Sequence, residues 1–119
     1  MQGIKTLKQR SEYVFVRHGD HERRRTVVIQ ARNRPDSEVL RAGFTATRKI
    51  GNAVVRNRAK RRLRAAARQC LPQFGVPGAD YVFIARRDTA EIAWTRLLDD
   101  MESALLSLAG QLGAAHSPA

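Results

Sequence analysis

The apolar positions change period several times along the chain, and each change marks an element. Residues 7–18, LKQRSEYVFVRH, gather Leu7, Tyr13, Val14 and Val16 ahead of Gly19, which predicts a short helix. In the segment HERRRTVVIQAR, residues 26–29 are β-branched. Turn formers stand on both sides, Gly19-Asp20 before and residues 33–37 after, so the whole segment reads as one strand. Leu40, Ala42, Phe44 and Ala46 then alternate with Arg41, Gly43, Thr45 and Thr47, the period-two pattern of a strand with one buried face. These two strands are expected to pair with each other.

Gly51-Asn52 breaks the strand pattern, and Asn52 is suited to cap a helix over 53–71, which Pro72 is expected to end. On that helix Val55, Ala59, Leu63, Ala66 and Cys70 form one narrow apolar stripe. Arg56, Asn57, Lys60, Arg61, Arg64 and Arg68 fall on the outward side, and Arg58 and Arg62 flank the stripe. Residues 72–79 form a Pro/Gly loop, and the continuous run Tyr81 to Ala85 predicts a strand interior to the sheet. Asp88 and Glu91 resemble a cap for a last helix, along which Trp94, Leu98, Met101, Leu105 and Leu108 make a core stripe. Residues 110–119 are expected to fray.

The order helix, strand, strand, helix, strand, helix predicts an α+β sandwich, a small mixed sheet covered by helices, in a single domain over 1–119, ordered from about 7 to 108. Residues 40–85 form a β-α-β unit, for which the general rule is a right-handed crossover.

Charge then narrows the class. The chain carries 22 Lys and Arg against 11 Asp and Glu, a net charge of +11. Its distribution is uneven: residues 41–79 hold ten bases and no acid, whereas residues 80–119 hold three bases and six acids. A surface that neutralises phosphates needs cations gathered without competing carboxylates, so the middle third is the expected polyanion-binding face. Planar guanidinium forks suit phosphates and stacking on splayed bases, and the Asn57 amide suits a base edge or sugar. A DNA-binding regulator is disfavoured, because neither a helix-turn-helix partner nor a dimerisation heptad accompanies the basic helix.

Other chemistries find little footing. Lone Cys70 can form neither an internal disulfide nor a multi-thiolate zinc site. A protein phosphodiesterase needs clustered carboxylates or a placed histidine. The basic region has neither, His18, His21 and His116 lack local partners, and Asp99, Asp100 and Glu102 lie on the last helix as a solvated acidic face. No catalytic or metal-binding residue is therefore expected in the protein. The chain has no apolar run long enough for a bilayer and no signal-like N-terminus, so a cytoplasmic location is expected.

The run GFTATRKIGNAVVRNRAKRRLRAA resembles the signature of the bacterial ribonuclease P protein subunit, with Arg48, Lys49, Gly51, Ala53, Val54, Arg56, Asn57, Arg58, Lys60, Arg61 and Arg64 in matching positions. LKQRSEYVFVRHG and DYVFIAR resemble that family's N-terminal motif and last strand, so the likeness spans roughly residues 7–106. The resemblance implies an accessory subunit that binds a catalytic RNA, ribonuclease P RNA, in a holoenzyme that removes the 5′ leader of precursor tRNA by magnesium-dependent hydrolysis. Magnesium would be held mainly by RNA, and the protein alone would be inactive.

The resemblance further implies that Arg48, Lys49, Arg56, Asn57, Arg58, Lys60, Arg61, Arg64 and Arg68 face the RNA. A cleft between the N-terminal helix and the sheet would take the leader, with Tyr13, Phe15, Arg17, Phe44 and Arg86 as its residues. Where the family carries a second cleft aromatic, this chain has Val16 and Arg17, with Phe15 displaced. The family's β-α-β crossover is left-handed, against the general rule. The alternative is a structural RNA binder of ribosomal type, and the joint presence of the residue 49–64 signature and the residue 7–19 motif separates the two.

Overall fold

The computed structural model describes residues 3–35 and 37–116. Its elements are β1 (Ile4–Thr6), α1 (Arg10–Arg17), β2 (Asp20–Arg23), β3 (Val27–Asn33), β4 (Leu40–Thr45), a 3-10 turn (Arg48–Ile50), α2 (Ala53–Phe74), β5 (Ala79–Ala85) and α3 (Trp94–His116). The strands form one mixed sheet in the order β1-β4-β5-β3-β2. β4 is parallel to both β1 and β5, and β3 is antiparallel to β5 and β2.

The α+β sandwich and the β-α-β unit stand as the sequence predicts, and β5 is the central strand. Four local expectations are corrected. The segment HERRRTVVIQAR is two strands, β2 and β3, joined by a turn that the Arg24 N–H closes by donating to the Val27 carbonyl at 2.9 Å. Consecutive β3 and β4 are not neighbours, because β5 lies between them and hydrogen-bonds to one on each edge, while its two apolar faces are covered by the helices on either side of the sheet. Pro72 sits inside α2 rather than ending it. The ring removes one amide, but the Gly75 N–H still donates to the Leu71 carbonyl at 2.8 Å and closes a further turn. Asp88 and Glu91 do not cap α3, since their carboxylates bind Arg25 and Arg58, and the helix starts at Trp94.

α3 continues to His116 with Leu112 buried, and residues 117–119 of the tail expected to fray lie outside the described residues. β1, which carried no period-two signal, is an edge strand paired with β4 from Ile4 to Thr6.

Alternation along the strands divides the sheet into two unequal faces. Leu40, Ala42, Ala79, Tyr81, Phe83, Val27, Ile29 and Ala31 point to one face and build the main core with α2 and α3. There α2 contributes Ala59, Leu63, Ala66, Cys70 and Leu71, and α3 contributes Leu97, Met101, Leu105 and Leu108. The other face carries Gly43, Val82, Ile84 and Val28, and only the eight-residue α1 lies on it. Val16, Leu7 and Val82 form a small second cluster beneath that helix.

A buried charge network seats α1. The Arg41 guanidinium donates to both carboxylate oxygens of fully buried Asp80, at 2.8 and 2.6 Å, and to Glu12 of α1 at 2.5 Å. Arg34 lies 2.8 Å from Asp80 on its other side. Glu12 also accepts the Lys8 and Gln9 N–H groups at 2.7 Å each, completing a capping box.

Candidate nucleic-acid interface

Two basic surfaces meet at the 3-10 turn. The first is the outward side of α2. Asn52 caps it, its Oδ1 accepting the Val55 N–H at 3.0 Å, and no acid stands in the first turn. The apolar stripe binds the helix to the sheet and so fixes which side faces out. Asn57, Arg61, Arg64 and Arg68 are exposed on α2, as are Arg48 and Lys49 just before it, while Arg56 and Lys60 are half-buried along the β4 side. Arg56 donates to the Gly51 carbonyl at 3.0 Å, and Arg64 stands over the Phe44 ring at 5.6 Å. Among the described residues, no carboxylate comes within ion-pair distance of Arg48, Lys49, Arg56, Lys60, Arg61, Arg64 or Arg68. Arg58 differs, being paired with Glu91.

The second surface is the uncovered end of the α1 face. Because α1 is short, the row formed by Thr45, Ile84, Val28 and Arg23 lies beyond it, in register across β4, β5, β3 and β2. Val28 and Ile84 floor a cleft of about 410 Å³ whose rim carries Arg23, Arg25, Lys49, Arg86 and Arg87. One acid, Asp88, lines it, and Arg25 neutralises that carboxylate at 2.8 Å. Arg86 is held in place by donating to the Arg24 carbonyl at 2.9 Å.

Of the five residues expected in a cleft, Arg86 lines this one, whereas Tyr13 and Arg17 stand on α1 and are not among its lining residues. Tyr13 and Arg17 are four residues apart on one side of α1, and the Tyr13 ring lies directly over Gly43, where any Cβ would stand 2.6 Å from its hydroxyl. Phe15 points elsewhere: its ring lies 4.3 Å beneath the Arg32 guanidinium, whose Nη1 donates to the Phe15 carbonyl at 3.1 Å. Phe44 is on the opposite face of the sheet, stacked on Phe83 at 5.3 Å, because strand alternation sends residues 43 and 44 to opposite sides. Arg23, Arg25 and Arg87 escaped the sequence reading. The signal was present in the basic run 23–25 and in Arg86-Arg87 directly after the central strand.

Burial raises the Cys70 thiol to about 11, which keeps it protonated and inert as a core residue. Among the described residues, no group of three or more His, Cys, Asp or Glu side chains comes together, and no helix is long and apolar enough to cross a membrane.

This combination defines a small α+β polyanion-binding protein, with a cationic helix face beside a cation-rimmed cleft. The family model described as Ribonuclease P matches residues 1–109. The ribonuclease P protein component of Caulobacter vibrioides is 51% identical over 107 residues, covering 89% of this chain and 72% of that protein. That of Ruegeria pomeroyi is 47% identical over 109 residues, covering 89% and 87%. Among solved structures, the ribonuclease P proteins of Staphylococcus aureus and Thermotoga maritima each superpose with a TM-score of 0.73 over 87% of this chain, covering 94% and 96% of theirs at 22% and 21% identity. The chain belongs to the ribonuclease P protein family and is a protein subunit of that ribonucleoprotein endonuclease.

Proposed function

We propose that the outward side of α2, together with Arg48 and Lys49, binds ribonuclease P RNA, and that the cleft beside α1 takes the single-stranded 5′ leader of precursor tRNA. The observation that carries this reading is the cationic surface of α2, on which Arg58 alone of the outward bases is ion-paired among the described residues, and which continues through Lys49 into the cleft. Unpaired guanidinium groups on α2 neutralise phosphates of the folded RNA, and Asn57 supplies an amide to a base edge or ribose. In the cleft, bases lie against Val28 and Ile84 while the rim arginines meet the backbone, and the Tyr13 ring, seated over Gly43 on the same face of the sheet, offers a stacking surface.

The protein's part is to orient substrate and raise local cation density. Magnesium is held mainly by the RNA, which performs the cut, and the complex works in the cytoplasm. DNA is not a partner.

The test mixes the protein with ribonuclease P RNA and precursor tRNA at low magnesium. Leader removal is stimulated by the protein, and the protein alone leaves the substrate intact. Absence of stimulation overturns the proposal, and binding to RNA without any preference for leader-bearing substrate favours a structural RNA binder.

A further inference from the structure

Arg62 is the base of α2 that turns inward. Its Nη1 donates to the Thr89 carbonyl at 2.6 Å, its Nη2 donates to the Ile92 carbonyl, and its guanidinium lies 5.8 Å from the Trp94 ring centre. The segment it grips, residues 86–93, joins β5 to α3 and carries Arg86 and Arg87 of the cleft rim. The same segment is tied on its other side to the β2–β3 turn. Thr89 is the crossing point: its hydroxyl accepts the Arg86 N–H at 2.7 Å and donates to the Thr26 carbonyl at 2.6 Å, while its own carbonyl goes to Arg62.

We propose that Arg62 is a positioning residue for leader binding: from α2 it clamps residues 86–93 and thereby holds Arg86 and Arg87 at the rim of the cleft. The proposal rests on the reading of the cleft given above. A guanidinium fork suits the task because it serves two carbonyls at once while its flat face covers an aromatic ring. Binding carbonyls rather than a carboxylate also leaves the RNA-binding helix free of an added acid at this point. The two basic surfaces are thus joined mechanically through Arg62, beside the more exposed Arg58–Glu91 ion pair.

The experiment uses holoenzyme assembled from the full chain and ribonuclease P RNA, with Arg62→Met, which keeps the aliphatic stem, and Arg62→Lys, which keeps the charge and one direction of donation. Affinity is measured for precursor tRNA and for its leaderless counterpart, alongside the salt dependence of protein–RNA binding and amide exchange over residues 86–93. In Arg62→Met, leader-bearing substrate binds about three- to tenfold more weakly, leaderless tRNA binds as before, exchange over 86–93 rises, and Arg62→Lys recovers part of the loss. Unchanged leader affinity, or a loss without faster exchange, overturns the proposal. So does a flatter salt dependence of protein–RNA binding, which would make Arg62 a phosphate contact instead. If the unmodified holoenzyme binds both substrates alike, the cleft reading itself fails and takes the clamp with it.

Discussion

Gly43→Ala isolates the fit between α1 and the sheet. Gly43 lies within β4 and its backbone is not in the left-handed region, so alanine is compatible with the strand. By itself the change restricts the unfolded chain and stabilises a strand position by about 0.5–1 kcal/mol. In the native protein the added Cβ would stand 2.6 Å from the Tyr13 Oη and 2.7 Å from Cε1 and Cζ. Ordinary contact between such atoms is about 3.5–4.0 Å, so the ring must lift by roughly 1 Å, and overpacking of this kind costs about 1–3 kcal/mol.

The two effects have opposite signs, which makes a double-mutant cycle decisive. In the parent chain Gly43→Ala lowers the urea midpoint, and in a Tyr13→Ala background it raises it, a coupling equal to the overpacking cost of about 1–3 kcal/mol. The same displacement shifts Tyr13 from its seat, so Gly43→Ala alone also weakens binding of leader-bearing substrate. An effect of the same sign in both backgrounds would refute the reasoning, because the ring would then not be what the methyl meets.

Arg61→Ala lowers the log–log salt slope of RNA binding by about 0.7–0.9, the signature of one lost phosphate contact, and an unchanged slope means the side chain touches no phosphate. Asp80→Ala strands Arg34 and Arg41 without their buried counter-charge and costs about 3–5 kcal/mol in urea unfolding; a loss below 1 kcal/mol would remove the network's role in seating α1. The Glu12 carboxyl is held below its usual range by the Gln9 and Lys8 N–H groups and by the Arg41 charge. Its stabilisation is therefore present above the ordinary carboxylate range and lost as the pH falls through the depressed value. Glu12→Gln is expected to lower stability at neutral pH and flatten the acid limb, read from urea midpoints between about pH 6 and pH 3.

Where one physical rule acted alone, the sequence was legible. Alternation from Leu40 to Ala46 placed β4, the continuous apolar run of β5 placed it at the centre, and the narrow stripe of α2 fixed which of its cations face out. The misreadings arose where tertiary partners overrode local signals. Asp88 and Glu91 look like caps until Arg25 and Arg58 claim their carboxylates. Pro72 looks like a stop until Gly75 supplies the next hydrogen bond.

The candidate site followed the same division. The α2 surface was visible because charge and helical spacing sufficed to define it. The cleft was only partly visible, because its floor depends on strand register across four strands that sequence does not fix. That is why Arg23, Arg25 and Arg87 were missed, and why Phe15 and Phe44 were assigned to a wall that neither reaches.

The three-residue turn Arg48–Ile50 gives the molecule a corner. In the proposed binding mode a transcript lying along α2 and a strand threaded past α1 would both arrive at Lys49, bringing two like-charged backbones within one side chain's span. Mutual repulsion between them is greatest at that junction, and a mobile ammonium there offsets it where a fixed, paired cation could not. Dissolved counterions can take over part of that shielding, which links the subunit's benefit to the ionic strength of its surroundings.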